Sequence, residues 1–416
     1  MENWIAVIDV KAFYASFECH ERGLDPFLTP LAVTDTTRKE STIVLSVSPY
    51  LKAMGVSSRC RRKDLPTNIP NMIYAIPQME KYVKCSAQIV SIFLDFVAQD
   101  DIHVYSIDES FINLGPYLEL YNTTPEGLCK MIQTKIYKET GLLVTCGIGP
   151  NMFLAKMADD KDAKNAPGYI AKWTKEDIPK KLWPIRPLKE MWGISSGYQE
   201  RLNTFGLYSV YDLAHYDKQF LIKKLGVMGE ELRNHANGID DTNIREKYIP
   251  MSKNLSLGQV LMRDYNYKEI PLIIKEMTDD LACRMRANFL ETSCVYLSIG
   301  YSTNDGGGGF SHQAELMMPT DLNKDLYKAL IYIYDKFVEN KPIRQIGISF
   351  AKLTRPQSKQ LSLFQSAESE EQEENMYRAM DEVQAKYGKN KLLRTSALKS
   401  SSTAKIRHEQ IGGHKK

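Results

Sequence analysis

The chain has 416 residues, 43% of them apolar and 25% charged, which suits two to four globular domains and excludes wholesale disorder. It lacks the run of about eighteen apolar residues that a membrane helix needs, and its seven scattered cysteines exclude a disulfide framework or a zinc ribbon and suit a reducing cytoplasm. Lys and Arg total 54 against 51 Asp and Glu, a net charge of +3, which taken alone weighs against a polyanionic partner such as nucleic acid.

Met1-Glu2-Asn3-Trp4-Ile5 lacks the basic start and long apolar stretch of a signal peptide, so a cytoplasmic protein is expected. Trp4 to Ile8 is a short apolar run ending at Asp9, the pattern of a strand buried on both faces. Ala12 to Cys19 carries helix formers and aromatics. Thr42 to Val47 reads as a second strand, followed by a helix and the basic cluster Arg59, Arg61, Arg62 and Lys63. Over 80–98, Val83, Val90, Leu94 and Val97 recur at i, i+7, i+11 and i+14, which predicts the buried stripe of an amphipathic helix. His103 to Leu114 is strand-forming but interrupted by Asp108-Glu109. Leu142 to Ile148 is a third strand candidate, and Asn151 to Lys164 reads as a helix. Strands mixed with long helices predict an α+β or α/β first half. Trp173 to Asn237 is dense in helical patterns, with a turn at 192–197. Strands return over 251–353, with Asp305 to Gly309 as a loop between two of them. Beyond Arg355-Pro356 core material gives out and a tail is expected.

Asp9 sits where a buried strand emerges, and Asp108-Glu109 sits inside a strand-like segment a hundred residues later. In a regular strand Asp108 and Glu109 point to opposite faces; a turn or bulge over Ile107 to Ser110 lets both face one ligand. Three carboxylates on adjacent strand ends repel unless cations lie between them, and hard divalent ions, Mg²⁺ or Mn²⁺, meet that need. Two such ions roughly 4 Å apart can activate an attacking hydroxyl and stabilise a leaving pyrophosphate. The plainer reading is a turn or cap aspartate at a strand end and a solvated Asp-Glu pair.

The surrounding residues favour the metal site. Asp9-Val10-Lys11-Ala12-Phe13-Tyr14-Ala15-Ser16-Phe17-Glu18 and Tyr105-Ser106-Ile107-Asp108-Glu109-Ser110-Phe111 resemble the signature segments of Y-family translesion DNA polymerases, most closely of the UmuC type (the catalytic subunit of DNA polymerase V and its Gram-positive relatives). Gly147-Ile148-Gly149-Pro150-Asn151, Leu154-Ala155-Lys156-x-Ala158 and Trp192-Gly193-Ile194 continue the resemblance in family order along essentially the whole chain.

The resemblance implies a right-hand polymerase of multidomain α+β class: palm (1–27 and 80–172), fingers (28–79), helical thumb with a helix-hairpin-helix (173–250), α/β little finger (251–353) and a tail (354–416). It implies Asp9, Asp108, Glu109 and the Val10 carbonyl as ligands of two Mg²⁺ ions, with Mn²⁺ as the substitute, and Asp108 and Glu109 as catalytic. Tyr14, with Phe13 beside it, falls at the steric gate, where a ring under the sugar of an incoming dNTP leaves no room for a 2′-hydroxyl. Lys11 stands where many relatives carry Asp or Asn. Where many relatives grip the triphosphate with Tyr and Arg, this chain has Pro49 and Lys52, and Lys52 neutralises phosphate as a point charge. The later phosphate-binding lysine falls on Lys161 or Lys164, the spacing being one residue longer than in some relatives, with Lys164 preferred. Lys156, Gly193 and Ser195 are implied DNA contacts, the last two through a turn whose N–H groups meet a phosphate. Gln360-Leu361-Ser362-Leu363-Phe364 resembles the peptide that docks on the bacterial β sliding clamp, Leu363 and Phe364 filling an apolar pocket; its alternative is a last core strand. UmuD-like and recombinase proteins are the implied accessories, and no membrane is involved.

The expected function is low-fidelity, template-directed synthesis past lesions in an SOS-type damage response. Its rivals are a catalytically silent homologue that only occupies DNA or clamp, and a palm-type nucleotide cyclase. Divided by these domains, the charge has a pattern: the palm holds 11 basic against 17 acidic residues, and the tail 12 against 8. The little finger holds 12 of each, which predicts segregation by face if it is to touch DNA. Residues 386–416, with nine Lys/Arg against one acid, are expected to lie along DNA or to be disordered.

Overall fold

The computed structural model describes residues 3–247, 249–250, 253–356 and 367–416, the side chains of 367–370 excepted. The chain forms two compact units, 1–248 and 249–415. In the first, β1 (Ile5–Val10) and α1 (Phe13–His20) are followed by β2 (Leu31–Thr34), β3 (Val44–Val47), α2 (Pro49–Ala53) and β4 (Ile73–Ala75). Then come α3 (Met79–Phe93), β5 (Ile102–Val104), β6 (Glu109–Asn113), α4 (Pro125–Thr140), β7 (Val144–Gly149), α5 (Met152–Ala158) and β8 (Ile170–Lys172). Four short helices close the unit: α6 (Ser196–Asn203), α7 (Val210–His215), α8 (Lys218–Leu225) and α9 (Val227–Ala236).

The main sheet has the order β5-β6-β1-β7-β8, so the apolar β1 is its centre, which explains why both its faces are buried. A smaller sheet, β3-β2-β4, packs on α1. The sequence stripe on α3 is corrected. Tyr82, Cys85, Ile89 and Ile92 are buried, while Val83 and Leu94 are 46% and 49% exposed. Spaced at i, i+3, i+7 and i+10, these four define the continuous face, and the helix stops at Phe93, short of Val97.

In the second unit, β9 (Leu255–Tyr265), α10 (Ile270–Arg286), β10 (Glu291–Tyr301), β11 (Gly309–Thr320), α11 (Asn323–Phe337) and β12 (Ile343–Thr354) form a four-stranded antiparallel sheet of order β11-β10-β12-β9. Its core is built from α10, α11 and one sheet face. After 357–366 the chain continues as α12 (Ala367–Tyr387), α13 (Ala404–His408) and the hairpin β13 (Gln410–Ile411) and β14 (His414–Lys415).

The expectation of a DNA-lying or disordered tail is overturned for residues 389–411. Arg394 pairs with Asp279 at 2.7 Å, Lys389 and Arg407 reach Asp280 at 2.9 and 2.8 Å, and Ser402 and Thr403 donate to Glu276. The tail's cations neutralise an acidic stretch of α10.

Candidate active site

Asp9 and Glu109 are direct register partners on β1 and β6 and therefore share one face of the sheet. The turn that precedes β6 spans Tyr105 to Asp108, where the amides of Tyr105 and Ser106 both donate to the Glu109 carbonyl. It lies two residues earlier than the spacing suggested and presents Asp108 beside the strand end. The Val10 amide donates to the Asp108 carbonyl at 2.9 Å, and Ser106 Oγ donates to Asp108 Oδ1 at 2.6 Å. Asp108 also acts electrostatically on Tyr14 and Lys52, which places its charge near both.

The opposite wall comes from α5 and the turn after it. Asn151 caps α5 by accepting from the Leu154 amide. Gly147 and Gly149 let α5 lie directly on β7: a Cβ on Gly147 would overlap the Ala155 carbonyl and the Asp159 amide. Gly147→Ala is therefore expected to cost about 1–3 kcal/mol by overpacking and to impair activity, because α5 carries half the site. A thermal midpoint equal to the parent's would refute this account of the glycine.

Between Lys156 and Lys164 the chain makes a π turn over Asp159–Ala163, a device frequent at functional sites. It brings Lys164 Nζ to 2.8 Å from Asp9, 2.7 Å from Asp160 and 3.4 Å from Asp159. Lys161 instead pairs with Glu190 at 2.8 Å, so of the two alternatives Lys164 is the one in the cleft. Lys156, expected on DNA, is 6% exposed and bridges Glu109 at 2.8 Å and Asp160 at 3.1 Å. Enclosed in this way, it has no open face for a phosphate.

Asp159 and Asp160 were not singled out in the sequence. Asp159 is fully buried, and Thr145 donates to its Oδ1. Among the described residues, the carboxylates that converge within 4.8 Å are Asp9, Asp159 and Asp160; Asp108 and Glu109 lie outside that close set. The acidic pair following the Leu154-Ala155-Lys156 motif was the available signal, but its facing depends on the π turn.

Burial pushes the Glu109 carboxyl up to about 7 against the pull of Lys156, with Asp9 and Asp160 adding repulsion. Burial likewise pushes Asp159 up to about 6. Burial lowers Lys164, but Asp9, Asp159 and Asp160 overcome it and hold the ammonium firmly protonated. Lys164 is the counter-ion of these three carboxylates, whose all-oxygen donors are also of the kind a hard divalent ion takes. Lys11 Nζ donates to the Lys164 carbonyl at 2.8 Å and lies 4.3 Å from the Tyr169 ring centre, with Asp9 and Asp159 acting on its charge. That bond braces the π turn.

Tyr14 is half-buried at the mouth, 5.4 Å from the Phe13 ring and 4.8 Å from Tyr82. Lys52 lies on α2; desolvation lowers its pKa and Lys164 adds to that, while Asp9 and Asp108 pull the other way. Gly193 has φ +91, a left-handed value open to glycine. Ser195 caps α6 by accepting from the Tyr198 amide. The helix before this hairpin is a single turn, Leu188–Glu190. Gln360, Leu361, Leu363 and Phe364 lie outside the described residues.

Residues 8–160 match the impB/mucB/samB family and residues 252–363 its C-terminal domain. The chain is 34% identical to the "Putative UV-damage repair protein UvrX" of Bacillus subtilis, over 99% of this chain and 97% of that protein. It is 31% identical to "DNA polymerase IV 2" of the same organism, over 100% and 99%. Among solved structures, a Y-family DNA polymerase chimera of Dbh and Dpo4 superposes with a TM-score of 0.67 at 19% identity, covering 85% of this chain and 99% of that one. No helix among the described residues is long and apolar enough to cross a membrane. With a full-length relative above 30% identity and the sheet, carboxylates and basic cleft in place, the chain belongs to the impB/mucB/samB family of Y-family, UmuC-like DNA polymerases.

Proposed function

We propose that this DNA-directed DNA polymerase of damage tolerance carries out translesion synthesis with two Mg²⁺ ions, joining a dNTP to a primer 3′-hydroxyl on a DNA template. The observation that carries the reading is the meeting of Asp9 and Glu109 across β1 and β6 with Asp108 at the adjoining turn, opposite Lys164. Asp9, Asp108 and Glu109, with the Val10 carbonyl, would hold the metal, which when bound activates the attacking hydroxyl and offsets charge on the leaving pyrophosphate. Lys164 and Lys52 place positive charge where the triphosphate enters. Lys156 orients Glu109 and opposes the burial that raises its pKa. Tyr14 packs under the sugar and excludes a 2′-hydroxyl.

The proposal extends to the domain limits given above, with 1–27 and 80–172 as palm, and to Gly193 and Ser195 as backbone contacts to DNA. It includes docking of Gln360 to Phe364 on the β sliding clamp, UmuD-like and recombinase accessories, and action in the cytoplasm. The test is primer extension on undamaged and abasic templates, with and without the clamp. Mg²⁺-dependent, template-directed extension is expected, with the clamp raising product length. Retained DNA binding with no extension on any template would sink the enzyme mechanism.

A further inference from the structure

Tyr14 rests on two supports: the small core of Ala15, Cys19, Leu31, Val33 and Ala75, and the ring of Tyr82. The ring beneath it, Tyr82 of α3, is fully buried, 4.8 Å from Tyr14, 5.3 Å from Phe17 and 6.2 Å from Phe13. The Tyr82 hydroxyl donates to Glu18 Oε1 at 2.5 Å. Glu18 is itself fully buried, one turn after Tyr14 on α1, and takes further bonds from Gln78 Nε2 at 3.1 Å and from Arg22. The contacts form a closed ring, in which α1 offers Tyr14 to Tyr82 and anchors the same Tyr82 through Glu18.

A phenylalanine at 82 would fill nearly the same volume without burying a hydroxyl or needing a carboxylate. Burying a charge costs several kcal/mol unless it is paired, so packing alone gives no reason for this arrangement. Direction does. A hydrogen bond to a fixed acceptor sets the depth and tilt of a ring, whereas apolar contact is non-directional.

We propose that Glu18, acting through Tyr82, is a positioning residue that fixes the height of the Tyr14 ring and so sets the discrimination between deoxyribonucleotides and ribonucleotides. The inference rests on Tyr14 being the sugar gate, and neither Glu18 nor Tyr82 touches the nucleotide. Tyr82→Phe keeps the ring and frees it from its anchor, so the gate sinks or tilts and admits a 2′-hydroxyl more readily.

The test measures kcat/KM for dNTP and rNTP incorporation in the full chain carrying Tyr14→Ala, Tyr82→Phe or both, with thermal midpoints recorded. Tyr14→Ala is expected to raise the rNTP-to-dNTP ratio most. Tyr82→Phe is expected to raise it about five- to tenfold, roughly 1–1.4 kcal/mol, mainly through a lower rNTP KM. The double variant should do no more than Tyr14→Ala alone, because the effect passes through that ring. An unchanged ratio in Tyr82→Phe beside a raised one in Tyr14→Ala overturns the inference and leaves the gate standing. An unchanged ratio in Tyr14→Ala overturns the gate, and with it the inference. Should Tyr82→Phe fail to fold, Glu18→Gln, which keeps a weaker acceptor, is expected to raise the ratio in the same direction; a parental ratio there overturns the inference.

Discussion

Asp9→Asn is expected to lower Mg²⁺-dependent primer extension by roughly a thousandfold, about 4 kcal/mol of transition-state stabilisation. The substitution keeps the shape of a side chain set at the end of the central strand and removes its charge. In the parent that charge holds Lys164 at 2.8 Å and faces Glu109 across the strand pair. Asp159 and Asp160 still pair with Lys164 in the variant, so the cleft keeps its basic wall. Primer-template affinity comes chiefly from phosphate contacts elsewhere and should stay within about threefold of the parent. Asp108→Ala should behave alike, with extension lost and DNA affinity kept. Single-turnover extension separates chemistry from product release, and fluorescence anisotropy reports DNA binding. Extension within about tenfold of the parent would remove Asp9 from the metal set, and Asp159 with Asp160 would then be the carboxylates to replace next.

Much of this site was legible because it is written in short-range signals. The apolar run into Asp9 could only be a buried strand, and the break at Asp108-Glu109 could only be a turn or bulge if both residues were to serve one ligand. Gly147 and Gly149 were visible as a motif, though their reason, close passage of α5 over β7, needs the packed helix. What the sequence hid depends on facing rather than residue type. Whether Lys156 meets DNA or a carboxylate is decided by which side of α5 lies against β1. Whether Lys161 or Lys164 enters the cleft is decided by one π turn, which rotates all that follows it. The α3 stripe failed for a related reason: four valine and leucine positions fit the period loosely, but Tyr82, Cys85, Ile89 and Ile92 fit it at i, i+3, i+7 and i+10 within the helix.

The tail was misread because composition cannot reveal a partner within the same chain. Nine cations against one acid describe a segment that repels itself until something acidic lies beside it, and α10 supplies that surface to Lys389, Arg394 and Arg407. These three are engaged with Asp279 and Asp280.

Asp280→Ala is accordingly expected to destabilise the second unit by about 3–5 kcal/mol, the cost of removing one partner from a buried ion pair. Asp280 accepts from Arg407 at 2.8 Å, Lys389 at 2.9 Å and His408 at 2.9 Å. Arg407 is 9% exposed, and its other carboxylate, Glu276, is 3.9 Å away, too far to replace the lost bond. Against a domain stability of about 5–15 kcal/mol, this loss should release 389–411 from α10, seen as faster amide exchange there and a lower urea midpoint. The pH dependence has a definite sign. Burial raises the Asp280 carboxyl, but the His408 bond and the charges of Arg407 and Lys389 outweigh it and hold the pKa well below the ordinary value. A depressed folded-state value stabilises the fold above the unfolded value of about 3.9 and loses that contribution as pH falls below it. The parent should therefore weaken steeply below about pH 4, and Asp280→Ala should flatten that limb while lowering the neutral plateau. Equal acid limbs in the two proteins would show that Asp280 does not hold the tail. Salt acts as the independent control: a pair this buried is screened little, so 389–411 should stay protected at salt concentrations that already strip DNA from the cleft.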